Sequence, residues 1–249
     1  MQTTSSITHY NHVARHPPTT CVLMRRCHNK VKANIIHIAL QYMQLDIRRC
    51  HVIDLACGRG GDLGKVQGCL SYTGADLAVH ALDELKRRAS QLRMTDQVTT
   101  YHCDASQLPS TSPAHLMLCN FALHYFCDSA AHCAQLLNTA SQHLKPGGML
   151  CGTYQVHTAT EFGTEYHAVV GDCVNALEWR VPWAKVVQMA YDCGLALVFV
   201  SSFQALCPGG VCEKNVNGFI MQKQAPNPGY GTTPSSSAIP DSHCPGLSS

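Results

Sequence analysis

The sequence predicts an α/β fold, a mostly parallel sheet with helices on both faces, and three observations predict it. Short apolar runs bounded by turn residues alternate with segments of helical periodicity from residue 31 to residue 203. The first run closes on a glycine-rich turn, Gly58-Arg59-Gly60-Gly61-Asp62. Acidic residues, Asp54, Asp76 and Asp104, stand toward the carboxyl ends of three successive runs. Strands separated by helices of this length pair in parallel, and such a sheet is buried on both sides.

The elements follow in order. Val31 to Tyr42 reads as a helix, with Val31, Ile35, Ile38 and Tyr42 on one face. His51 to Cys57 is a strand, followed by the glycine turn and a helix. Ser71 to Leu77 is a second strand and Ala78 to Leu92 a helix. Val98 to Asp104 and His115 to Ala122 are the third and fourth strands. Ser129 to Leu144 is a helix stopped by Pro146-Gly147-Gly148. Met149 to Val156 is the fifth strand, Trp183 to Asp192 a helix ending at Gly194, and Leu195 to Phe203 the sixth strand. Asn215 to Gln222 is a seventh, forming an antiparallel hairpin with the sixth. Residues 1–20, with Pro17 and Pro18, are expected to be a flexible arm. Residues 225–249, rich in Pro, Gly, Ser and Thr, are expected to be a disordered tail. The folded domain is thus expected over 21–224.

Composition narrows the function. A net charge of +2 on 249 residues argues against a broad basic face, so any nucleic acid is gripped locally. The 15 cysteines include no CxxC pair, and the N-terminus lacks an apolar leader. The thiols are therefore read as reduced, buried groups of an intracellular protein with no membrane span. The spacing of His124, Cys127, His132 and Cys133 fits no zinc pattern, so no metal is expected.

The glycine turn points to a cofactor. Gly58 and Gly60 let the backbone turn sharply and approach a ligand. A dinucleotide site would carry GxGxxG with a helix N-terminus facing pyrophosphate. This turn puts Asp62 where the pyrophosphate would lie. A carboxylate repels phosphate and attracts a cation or amino group, which favours S-adenosylmethionine, a sulfonium with an α-amino group and no phosphate. Asp76 is placed to accept ribose hydroxyls and Asp104 to accept from the adenine amino group. The alternative for each aspartate is a helix cap.

Four stretches, residues 54–65, 120–125, 144–153 and 29–32, together resemble one family, the messenger-RNA cap guanine-N7 methyltransferases, which are Rossmann-like class I methyltransferases. Asp54-Leu55-Ala56-Cys57-Gly58-Arg59-Gly60-Gly61-Asp62-Leu63-Gly64-Lys65 is similar to that family's cofactor loop. Asn120-Phe121-Ala122-Leu123-His124-Tyr125 resembles its QFALHY-type segment. Leu144-Lys145-Pro146-Gly147-Gly148 with Gly152-Thr153 matches its fifth strand, and Asn29-Lys30-Val31-Lys32 its NNWVK opening. The likeness runs from about residue 25 to 223. It implies methyl transfer from S-adenosylmethionine to the guanine of GpppN-capped RNA by in-line attack without a general base. Triphosphatase and guanylyltransferase capping components would sit on separate chains.

Carried over by position, Lys32, Asp54, Gly58, Asp76, Asp104 and Asn120 would bind the cofactor. Lys65 would face the cap phosphates. Phe121, His124 and Tyr125 would line the guanine pocket, and Glu178 would accept from the guanine N1 and amino hydrogens. The plain structural readings are a solvated Lys65, a Lys32 on the polar face of its helix, a core His124 satisfied by backbone, a packing Tyr125 and a surface Glu178. The chain departs from the family at Lys30, at Gln155 (proline in the family) and at Asn217 (tyrosine in the family), all on the cap side. Alternatives left open are a class I methyltransferase acting on another small molecule or nucleotide, and a catalytically weak methyltransferase-fold subunit of a capping complex.

Overall fold

The computed structural model of the protein describes residues 4–15, 22–170, 174–210 and 215–225. The elements are α1 (Thr4–Arg15), α2 (Val22–Met43), β1 (His51–Leu55), β2 (Ser71–Asp76), α3 (Val79–Gln91), β3 (Val98–His102) and β4 (Ala114–Asn120). They continue with α4 (Ala130–His143), β5 (Leu144–Gln155), β6 (Glu165–Val170), β7 (Val174–Trp179), α5 (Trp183–Asp192), β8 (Leu195–Ser202), α6 (Phe203–Leu206) and β9 (Val216–Lys223).

Seven strands form one sheet in the order β3-β2-β1-β4-β5-β9-β8, and β6 and β7 form a separate hairpin. The first five pair in parallel. β9 runs antiparallel to both β5 and β8, the hairpin end expected for this α/β class. Alternation along the strands sends side chains to both faces. Ile53, Met117 and Cys119 pack toward Leu136 and Leu137 of α4 and Val186 of α5. Val52, Leu116 and Leu118 pack toward Val31 and Ile35 of α2 and Leu82 and Leu85 of α3. Strand order reverses between β1 and β4, and the carboxyl ends there, at Asp54 and Asn120, frame the crevice where ligands bind in such sheets.

Five differences from the expectations have physical causes. Residues 4–15 of the presumed arm form helix α1, because Ile7, Tyr10 and Val13 share one face and Val13 is buried. No full helix follows β1; the chain makes a single 3₁₀ turn at Leu63–Lys65, held open by Gly58 (φ +50°) and Gly60 (φ +68°). β5 begins at Leu144, where α4 ends, and a register shift between Ala114 and Leu116 absorbs the Pro146-Gly147-Gly148 irregularity. The β6–β7 hairpin has no counterpart among the expected elements. Ten described cysteines are free, as expected, but Cys27 is disulfide-bonded. Apart from Ala225, the expected C-terminal tail lies outside the described residues. No described helix is long and apolar enough to cross a membrane.

Candidate active site

Two cavities meet at the carboxyl ends of β1, β2 and β4. The smaller, about 270 Å³, is lined by Asp54, Gly58, Asp62, Asp76, Asn120 and Phe121 among others. The larger, about 500 Å³, reaches from Gly58, Arg59 and Phe121 to His124, Gln155 and Glu178. Tyr10, Lys32, Gly58, Gly61, Phe121 and Val174 line both, so ligands in the two would touch.

The smaller cavity is built by the glycine turn. Asp76 accepts from the Gly58 amide at 2.7 Å and the Ala78 amide at 2.8 Å, which ties the end of β2 to the turn. A Cβ at Gly58 would meet nothing within 4 Å, so the backbone there faces open space. A Cβ at Gly60 would strike Leu85 Cγ at 2.8 Å, so this glycine serves packing against α3. Ala56 (φ +54°) and Phe121 (φ +53°) hold left-handed backbone at the ends of β1 and β4. Such strain is of order 1–3 kcal/mol per residue and concentrates at functional sites. The Phe121 amide is held by Thr153 Oγ1 at 2.8 Å.

Charge in this cavity is arranged around Asp62. Lys32 Nζ and Lys65 Nζ each lie 2.8 Å from Asp62 Oδ1, and Asn120 Nδ2 donates to Oδ2 at 3.0 Å. Burial pushes the Asp62 carboxyl up, but the two lysines outweigh it and bring it down to about 2. Burial and the Asp62 charge push Asp54 up, partly offset by the Tyr72 hydroxyl donating at 2.6 Å. Burial also raises Asp76, against its backbone donors. Buried acceptors at Asp54 and Asp76 suit a ribose diol or an amino group, and Lys32 suits a carboxylate. A ligand with an α-amino acid end and a nucleoside end fits this donor set.

The larger cavity ends on Glu178, which β7 places 3 % exposed. Tyr125 donates to its Oε1 at 3.2 Å, and the Tyr166 hydroxyl lies 2.5 Å from its Oε2. His124 Nε2 lies 3.3 Å from Oε1 without hydrogen-bond geometry, and its ring packs 4.0 Å from that of Tyr125. Burial works to protonate Glu178, yet His124, Tyr166 and Tyr125 together hold it below the usual carboxylate range. The same lining includes Arg25, Arg59 and Arg88. Glu84 pairs with Arg59 (3.7 Å), Arg87 (2.7 Å) and Arg88 (2.9 Å), one carboxylate for three guanidiniums. Burial and the charges of Arg88, Arg25 and Arg87 push Arg59 down, which marks an excess of positive charge.

Most of the expected site residues converge here. Lys32, Asp54, Gly58, Asp76, Asn120, Phe121, Tyr125, His124 and Glu178 all line one cavity or both. Glu178 is no surface acid, and His124 faces a carboxylate rather than a backbone carbonyl. Two residues stand elsewhere. Asp104 caps a short turn, accepting from Ser106 N (2.9 Å) and Oγ (2.7 Å), pairs with His132 at 3.3 Å, and lines neither cavity. Lys65 lines neither cavity; it donates to Gly61 O (2.7 Å) and Asn29 Oδ1 (2.9 Å) and ties the glycine turn to α2. Of the three departures, Gln155 lines the larger cavity beside Tyr166, Asn217 donates to the Tyr154 hydroxyl at 3.3 Å, and Lys30 is exposed. Tyr10, His28, Arg59, Arg88 and Tyr166 were not foreseen. Only Tyr10 carried a signal, the three-residue recurrence of Ile7, Tyr10 and Val13.

Residues 3–156 match the model of a family described as the mRNA (guanine-N(7))-methyltransferase domain. The mRNA cap guanine-N(7) methyltransferase of Caenorhabditis elegans is 30% identical over 255 residues, covering 82% of this chain and 67% of that protein. The mRNA cap guanine-N(7) methyltransferase 1 of Arabidopsis thaliana is 24% identical, covering 61% of this chain and 54% of its own. This chain thus spans about half to two thirds of the length of these relatives. Among solved structures, the N-methyltransferase NodS from Bradyrhizobium japonicum WM9 in complex with S-adenosyl-l-homocysteine superposes with a TM-score of 0.60 at 12% identity, over 88% of this chain and 98% of that one. An S-adenosylmethionine-dependent methyltransferase from Clostridium acetobutylicum gives 0.62 at 13% identity, over 87% and 96%. These two share the fold.

Proposed function

The chain belongs to the mRNA (guanine-N7)-methyltransferase family, and from that membership we propose that it methylates N7 of the cap guanine in GpppN-ended RNA, with S-adenosylmethionine as methyl donor. The observation that carries the reading is the pair of joined cavities. One holds the donor set for an amino-acid nucleoside, and the other ends on a buried, ionised Glu178.

The cofactor supplies an electrophilic methyl group on a sulfonium. Guanine N7 offers a lone pair and carries no proton, so no side chain has to act as base, and the protein's work is alignment. Asp54 and Asp76 take the cofactor's polar groups, and Lys32 its carboxylate. Gly58 lets the ligand lie against the backbone, and Asn120 holds the Asp62 carboxylate that orients Lys32. Phe121, shared by both cavities, sets the angle between donor and acceptor. Glu178 accepts from the guanine N1 and amino hydrogens, the pairing that separates guanine from adenine. Its negative charge also favours the cationic ring that forms as N7 gains the methyl. His124 packs the base, while Tyr125, which lines the smaller cavity and not the larger one, holds Glu178 from the cofactor side. Arg25, Arg59 and Arg88 receive the triphosphate, the role the sequence assigned to Lys65.

The GpppN end is made by triphosphatase and guanylyltransferase activities, which we assign to separate chains within the cell. The test is incubation with methyl-labelled cofactor and GpppG-capped RNA. Label is expected in the cap, and no transfer at high protein concentration would refute the reading.

A further inference from the structure

The recognition carboxylate is connected to the N-terminal helix. Tyr10 of α1 lines both cavities, and its hydroxyl lies 2.5 Å from that of Tyr125. The two rings meet edge to face, 5.9 Å apart at 87°. Tyr125 in turn donates to Glu178 Oε1 at 3.2 Å, while the Tyr166 hydroxyl reaches Oε2 at 2.5 Å.

Proton counting sets the direction of this chain. A phenol carries one proton and can also accept. The Tyr125 proton is given to Glu178, so at its contact with Tyr10 the Tyr125 oxygen accepts and Tyr10 donates. Oε1 then has the Tyr125 donor, with His124 Nε2 3.3 Å away outside hydrogen-bond geometry, and Oε2 faces the Tyr166 hydroxyl, whose one proton also faces Gln155 Oε1 at 2.5 Å; each carboxylate oxygen keeps a lone pair for a further donor. Two parallel N–H donors, the pattern of guanine N1–H and its 2-amino group, match those two lone pairs. Without the Tyr10 proton, the Tyr125 hydroxyl is free to turn away from Glu178, and Oε1 loses its fixed donor.

We infer that Tyr10 is a positioning residue for guanine recognition, acting through Tyr125 to hold Glu178 as a two-point acceptor. The inference rests on the reading above that Glu178 receives the cap guanine. It also gives α1 a function: the helix completes the substrate site from outside the sheet.

The test compares Tyr10→Phe, Tyr125→Phe and the double variant on GpppG-capped and IpppG-capped RNA, the latter lacking the 2-amino group. Phenylalanine keeps the ring that packs α1, and melting temperatures check that it does. Tyr10→Phe is expected to raise KM for GpppG-RNA about 3- to 10-fold, the scale of one neutral hydrogen bond, with kcat nearly unchanged. It is also expected to shrink the preference for guanine over inosine. The double variant is expected to match Tyr125→Phe, as residues acting in one chain are not additive. Val13→Ala, which loosens α1 without adding or removing a hydroxyl, is expected to affect both caps equally. An active wild type whose Tyr10→Phe keeps its KM and cap preference, or a double variant showing the product of the single effects, would overturn this inference alone. A wild type inert on both caps would overturn the function reading and the inference with it.

Discussion

Lys32 Nζ lies 2.8 Å from Asp62 Oδ1, and both side chains are nearly shut off from solvent, at 12% and 7% exposure. Lys65, three residues beyond Asp62 at the end of the glycine turn, approaches the same oxygen at the same distance. One carboxylate therefore fixes both the lysine that lines the cofactor cavity and the one that anchors the turn. Asp62→Asn leaves two buried ammonium groups without their counter-charge. Breaking such a pair costs about 3–5 kcal/mol. Asp62→Asn is expected to lower the denaturation midpoint accordingly and to weaken S-adenosylmethionine binding, measured by calorimetry.

What could be read in the sequence was the part governed by local rules. The strand–turn–helix alternation located Asp54, Asp76 and the turn glycines, because a parallel sheet brings strand ends together whatever the rest of the chain does. Asp104 obeys the same spacing but lines neither cavity. Its choice between ligand and cap depended on Ser106 two residues on, whose amide and hydroxyl it binds. The partners of Lys65 lie on α2 and in the turn, and no spacing along the chain announces such an arrangement. The β6–β7 hairpin was missed because its buried residues, Ala168, Ala176, Glu178 and Trp179, are split between small, charged and aromatic types. Arg25 and Arg88 look in sequence like any solvated helix face, and Arg59 is hidden among the glycines of the turn.

The two strand-end aspartates should separate cleanly. Asp76→Asn is expected to weaken cofactor binding about 10-fold or more, as a buried charged acceptor is lost. Asp104→Asn is expected to leave that affinity within about twofold, because its carboxylate serves a cap. Calorimetric titration of both variants measures the contrast.

Asp104 instead governs stability against pH. Burial raises its carboxyl, but hydrogen bonds from His132 and Ser106 bring it down to about 2. A depressed carboxylate adds stability above its unfolded value and loses it as pH falls through the folded one. His132 is raised, first by its bond to Asp104, so its share is full below its unfolded value and lost as pH rises through the folded one. The difference in melting temperature between wild type and Asp104→Asn should be greatest between about pH 4 and 6.5 and shrink on either side. A flat difference from pH 2 to 9 would refute this.

Glu178→Gln keeps the shape of the guanine wall and swaps one acceptor oxygen for an amide donor. The charged hydrogen bonds at stake are worth about 1.5–3 kcal/mol, so kcat/KM on capped RNA is expected to fall roughly 10- to 150-fold. Cofactor affinity is expected to stay unchanged, since Glu178 lines only the larger cavity.

Arg59→Ala and Arg88→Ala each remove a charge from the cluster around Glu84. KM for capped RNA is expected to rise about 5- to 10-fold at low salt, and the gap from wild type to narrow as salt screens the remaining attraction. Steady-state assays at two ionic strengths measure both effects.

The central claim is transfer to guanine N7, and a one-atom change in the substrate tests it most directly. RNA ending in GpppG and RNA ending in 7-deaza-GpppG, where carbon replaces N7, are offered to the protein with methyl-labelled cofactor. Label is expected in the first and none in the second. Equal labelling of both, or labelling of neither while the cofactor binds, would contradict it.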